Sequence, residues 1–139
     1  MIINLSNHPH KNWQEKQIRA ANAYGEIIDL PFPQISPYAD EEELELIASQ
    51  LLQKIREMKP NAVIVMGEFS LSFMIVDALL DDGIPILTSA SSRVVNENKA
   101  EDGTVVKTAH FDFVLFRQYK RLKKKETGSQ AADTVIPQS

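Results

Sequence analysis

Four short polar segments of this 139-residue chain bring together side chains that can do chemistry. They are Ser6-Asn7-His8 with Lys11 close behind, the corner Pro31-Phe32-Pro33, Gly67-Glu68-Phe69-Ser70, and the run Thr88-Ser89-Ala90-Ser91-Ser92-Arg93. The inventory is several hydroxyls, an amide, an imidazole, a carboxylate and two cations. It suits holding an anion and moving a proton. Each member also has a plainer reading. Ser6 and Asn7 are turn formers that bond their own backbone. His8 reads as a loop histidine ahead of a catalyst, and Glu68 as a complement to the positive end of a helix. Ser89 to Ser92 read as a polar loop, and Arg93 as a solvated edge-strand cation. Trp13 and Tyr24 read as helix packing ahead of base-stacking platforms.

Several familiar signatures are missing. The chain has no GxGxxG, no GxxxxGK[ST] and no GxSxG, which argues against a dinucleotide fingerprint, a triphosphate P-loop and a hydrolase elbow. His8 and His10 form an HxH pair with no cysteine or third histidine spaced to join them, so no structural metal site or cofactor is expected. Cysteine is absent, which excludes disulfides and makes a cytoplasmic location the default. No apolar run is long enough to span a membrane, and the N-terminus does not read as a secretory signal. The net charge of -4 argues against general duplex-DNA binding.

The elements that must position these segments follow from apolar patterning. Ala62 to Val65, extended by Met66, is a continuous apolar run between Pro60 and Gly67, as suits a strand covered on both faces. Gly67 permits the sharp turn there, and Ser70 is the expected cap of a helix over Leu71 to Leu80. Ile2 to Leu5 and Glu26 to Leu30 read as strands. Gln14 to Tyr24 reads as a helix stopped by Gly25. Pro31 to Pro37 admits no helix. Asp40 caps a helix whose first turn is Glu41-Glu42-Glu43, and Leu44, Ile47, Ala48, Leu51, Leu52, Ile55 and Met58 form its apolar stripe.

Ile84 to Thr88 reads as a fourth strand that ends in the serine cluster. Beyond it, Arg93 to Asn96 and the alternating Lys107 to Tyr119 flank an Asp102-Gly103 turn and predict a hairpin. In that stretch strict alternation puts Phe111, Phe113 and Leu115 on one face, with His110, Asp112, Val114 and Phe116 on the other. From Lys120 the chain is basic and then polar, and is expected to be frayed or disordered. The expected architecture is one α/β domain over residues 1–119. It is a Rossmann-like, mostly parallel sheet with helices on both faces and a C-terminal β-hairpin, followed by a tail over 120–139. Parallel strands would place all four polar segments on one carboxyl rim, where open α/β sheets bind ligands.

Taken together, IINLSNHP, YGEIIDLPFP, MGEF, a TS…R segment and FVLFRQY resemble a group of small CRISPR-associated proteins of type III systems, similar to the CARF-like ring nucleases. The resemblance covers about Met1 to Tyr119. It implies a homodimer that binds a cyclic oligoadenylate across its two-fold axis and cuts it without a metal, switching off that second messenger. No catalytic residues are carried over from the family, so roles come from chemistry. Each 2′-hydroxyl of such a ring is a nucleophile beside its own phosphate. Ser6, Asn7 and the Gly67, Glu68, Phe69, Ser70 turn would hold phosphate and ribose, with Lys11, Ser89, Ser91 and Ser92 on the same rim. Arg93 would stabilise transition-state charge, and His8 would be general acid or base. Three alternatives stand: a protein that binds the ring without cutting it, a nucleoside-processing enzyme with Glu68 as nucleophile, and a purely structural partner that uses its hairpin.

Overall fold

The computed structural model describes residues 1–123. Its elements are β1 (Ile2–Ser6), a 3-10 turn (His10–Asn12), α1 (Glu15–Asn22), β2 (Ile27–Pro31), α2 (Glu41–Met58), β3 (Ala62–Val65), α3 (Phe69–Leu80), β4 (Ile86–Lys99) and β5 (Val105–Gln118). They build one five-stranded sheet in the order β2-β1-β3-β4-β5. The first four strands run parallel, and β5 is antiparallel to β4. The expected α/β class, with a mostly parallel sheet and a C-terminal hairpin, is what the chain adopts.

Helices cover both faces, because the central strands are apolar on both. Ile3, Leu5, Val63, Val65 and Ile86 point to one side, where α2 and α3 contribute Leu44, Ala48, Ile55, Leu71, Ile75 and Leu79. Ile2, Ile27, Ala62, Ile64 and Leu87 point to the other, under Ala21 and Ile18 of α1, with Trp13 and Tyr24 beside them. The α2 start is as its sequence implies. Asp40 accepts from the Glu43 N–H at 2.9 Å, and Glu43 reaches back to the Asp40 N–H. Its end is a left-handed Lys59, φ 51°, just before Pro60.

Four expectations need correction. Glu68, not Ser70, caps α3: its carboxylate accepts from the Leu71 N–H at 2.8 Å, and the helix starts at Phe69. The serine cluster Ser89 to Ser92 is no loop. It lies inside β4, which runs unbroken from Ile86 through Arg93 to Lys99 and pairs with β5 along its length. So the described residues form five strands where the sequence suggested six, and β4 itself is the first strand of the hairpin.

The third correction concerns phase. The β4–β5 register shifts between Ala90 and Ser91, which face Leu115 and Phe113, so Val114 is an extra residue. This bulge puts Phe113 and Phe116 on one face, with ring centroids 4.9 Å apart, where strict alternation separated them. The Asp102-Gly103 turn is present, with Gly103 at φ 87°. At the start of the tail, Arg121 is held by Asp77 at 2.8 Å and Asp81 at 2.9 Å on α3, so this part is not frayed. Residues 124–139, the rest of the expected tail, lie outside the described residues.

Candidate functional site

In this strand order β1 connects to β2 on one side, while the chain returns to β3 on the other. The crevice between the carboxyl ends of β1 and β3 is therefore a topological switch point, the place where open α/β sheets take ligands. A cleft of about 500 Å³ opens there, on the α1 face. Asn4 and Ser6 of β1, Ile64 and Met66 at the end of β3, and Ser89 and Ser91 of β4 line it. Asn12, Trp13, Gln14 and Gln17 border it from the α1 side, with His8 beside them and Phe111 and Phe113 of β5 opposite.

The inner end of the cleft is a fixed polar network. Asn4 is only 1% exposed in the middle of an apolar strand, so its amide must be bonded within the protein. Its Nδ2 donates to Asp29 Oδ1 at 2.8 Å and to the His8 carbonyl at 2.9 Å, and its Oδ1 accepts from Ser6 Oγ at 2.7 Å. Ser6 Oγ also accepts from the His8 N–H at 3.1 Å. Asp29 accepts from the His10 N–H at 3.2 Å and contacts His10 Nδ1 at 3.0 Å. Trp13 Nε1 donates to the same His8 carbonyl at 3.0 Å. The network folds the loop after β1 back over the sheet and holds the main chain of His8. The His8 ring stays exposed, with no hydrogen bond among the described residues.

Burial works to raise the Asp29 pKa, but hydrogen bonds from Asn4 and His10 outweigh it, and the carboxyl is held below its ordinary 3.8. Gln14 fixes the far wall. Its Oε1 accepts from the Phe113 N–H at 2.8 Å, and its Nε2 donates to Asp112 Oδ1 at 3.1 Å and approaches the Phe111 carbonyl at 3.5 Å.

The four polar segments do not converge as one rim. The cleft collects Ser6, His8, Ser89 and Ser91, while Asn7, Lys11, Gly67, Glu68, Phe69, Ser70, Ser92 and Arg93 do not line it. Gly67 lies against the ring of Phe32 on the α2/α3 side, and a Cβ there would sit 2.4 Å from that ring. Its lack of a side chain is a packing requirement. Glu68 is committed to its helix, accepting from the Ser70 hydroxyl at 2.6 Å and from the Leu71 N–H. These bonds, the Ser70 hydroxyl first, hold its carboxyl below the usual range. Arg93 stands farther along β4, opposite Phe111.

A family model described as "Uncharacterized protein MJ1673 family" matches residues 1–117. The chain belongs to the MJ1673 family. The matched span contains every residue of the cleft and stops one residue short of the end of β5. No curated protein and no solved structure matches the chain.

Asn4, Asp29 and Gln14 were not singled out by sequence reasoning, and His10 was weighed only as half of the HxH pair. The signal for Asn4 was an amide between Ile3 and Leu5 in a strand buried on both sides. Asp29 gave the same signal in EIIDL. Gln14 gave none, because its role depends on a strand almost a hundred residues away.

Proposed function

We propose that the cleft receives one adenosine unit of a cyclic oligoadenylate and that the protein opens the ring by attack of a 2′-hydroxyl on its own phosphate. The observation that carries this reading is the position of the cleft at the β1/β3 switch point, lined by neutral hydroxyls, amides and aromatic rings. Trp13 and Phe111 are aromatic side chains of the lining against which a base would stack. Asn12, Gln17, Ser89 and Ser91 offer hydrogen bonds to its edge and to ribose. A cleft of about 500 Å³ suits one nucleotide, so the rest of the ring lies outside it, where Arg93 and Lys11 meet phosphate.

His8 brings the one imidazole of the lining, and its ring takes the 2′-hydroxyl proton as that oxygen bonds to phosphorus, while the bond to the 5′-oxygen breaks and this oxygen takes a proton from water to become the 5′-hydroxyl. The product is a linear chain ending in a cyclic phosphate. The nucleophile and phosphate are already neighbours in the substrate, so the protein needs only to align them and balance charge. Ser6 takes a positioning role, because its hydroxyl is occupied by Asn4 and His8.

A second reading is sequestration of the ring without cutting. It is favoured by the lining, which contains no lysine or arginine to stabilise a transition state. Labelled cyclic tetra-adenylate incubated with excess protein and EDTA tests the pair. Linear products support cleavage; an intact ring together with quenching of the single tryptophan, Trp13, supports sequestration. An intact ring with unchanged Trp13 fluorescence overturns both.

A further inference from the structure

The part of β4 beyond the sheet has an empty side. β3 pairs with β4 only at Ile86 and Leu87, so among the described residues one edge of β4 meets no strand from Ser89 to Lys99. The direction of its main-chain groups follows from the hairpin. The Ala100 N–H donates to the Thr104 carbonyl at 2.7 Å, so these two turn toward each other. Alternation along an antiparallel ladder then turns Lys99, Glu97, Val95, Arg93 and Ser91 away from β5, with N–H and C=O toward the empty edge. On β5 the same alternation turns Phe111 and Phe113 outward, and these are the groups that Gln14 bonds. Near the sheet, the outer edge of β5 is thus guarded, and the edge of β4 is bare of any other strand among the described residues. The ribbon they form carries exposed Val95, Val105 and Val106, and a two-stranded ribbon with exposed apolar residues is marginal in water by itself.

The charges on that edge are complementary to themselves. About Val95, Arg93 and Glu97 are equidistant, as are Ser91 and Lys99. A second copy laid antiparallel with Val95 against Val95 puts each Arg93 opposite a Glu97, twice, around a two-fold axis. We propose that two copies of this chain join β4 to β4 in this register, making one continuous sheet through about ten new main-chain hydrogen bonds.

The same register sets Lys99 of the second copy beside Ser91, at the mouth of the cleft. The cation missing from the lining is then supplied in trans. This last step rests on the nucleotide reading of the cleft; the pairing of the strands does not.

Sedimentation of the full chain at tens of micromolar tests the pairing without any ligand. The expected result is a dimer for the natural chain, monomer for Arg93→Glu, and a dimer again for Arg93→Glu combined with Glu97→Arg. The chain has no cysteine, so Val95→Cys adds a unique thiol that should oxidise to a disulfide-linked dimer, while Val105→Cys on β5 should not. A monomeric natural chain, a dimeric Arg93→Glu variant or failure of the double exchange to restore the dimer overturns the proposal. In the dimer, Lys99→Ala should weaken cyclic tetra-adenylate binding at least about 10-fold without changing the sedimented mass. Equal affinity overturns the supply of the cation in trans, and leaves the joined sheet standing.

Discussion

Asn4 and Asp29 occupy the same level of neighbouring parallel strands, and their side chains bond across the pair at 2.8 Å. Through Asn4 that bond is continuous with Ser6 and the His8 carbonyl. The loop carrying His8 is therefore anchored from beneath the cleft. Asn4→Ala leaves Asp29, Ser6 and the His8 carbonyl each short of a partner, and is expected to cost about 2–3 kcal/mol in urea unfolding. If the loop is held as described, the variant also raises amide exchange at His8 and Trp13 while α2 stays protected.

Asp29 makes stability depend on acid. Its folded carboxyl sits below its unfolded value of 3.8, so its contribution is complete above that pH and declines as pH falls through and below it. The Asp29→Asn variant should lose stability at neutral pH yet show a shallower decline between about pH 4 and pH 2 than the natural chain. Parallel unfolding curves for the two proteins across that window would contradict this assignment.

Gly67 and Phe32 form a second obligatory contact. A methyl at position 67 meets the Phe32 ring at 2.4 Å, and Phe32 is 4% exposed with little room to retreat. Gly67→Ala should destabilise by about 1–3 kcal/mol. Adding Phe32→Leu frees space for the methyl, so the double variant should be more stable than the sum of the singles implies. Simple additivity would show that the ring is not the obstacle.

The proposed chemistry separates His8 from Glu68. His8→Ala should slow opening of cyclic tetra-adenylate at least about 10-fold with little change in affinity. Glu68→Gln weakens only the α3 cap. It should lower the thermal midpoint and leave the cleavage rate unaltered. Single-turnover assays on both, paired with thermal unfolding, distinguish these outcomes; a rate lost with Glu68→Gln would return that carboxylate to the reaction.

Much of the sheet could be read directly from the chain, because its strands are bounded by proline or glycine and are apolar on both faces. Asp40 with three following glutamates marked α2 just as clearly. The polar half of the cleft was harder. Ser89 to Ser92 has the composition of a loop, and only pairing with β5 makes it strand; local preference yields there to a partner some twenty residues on. Alternation along β5 failed at Val114, since a bulge has no composition of its own. Of the residues picked for chemistry, Ser6, His8, Ser89 and Ser91 share the cleft, and Glu68 proved to be a cap. Asn4 was hidden by its apolar neighbours, although its burial is what fixes the loop above it.

Gln14 has a consequence for how large any assembly can become. Its amide satisfies the groups that β5 turns outward at Phe111 and Phe113, so no newcomer can run the full length of that border. A two-stranded ribbon with both borders vacant can be extended copy after copy into a filament. With one border occupied near its root by a side chain of the same molecule, association through the other is self-limiting, and a single glutamine acts as the stop.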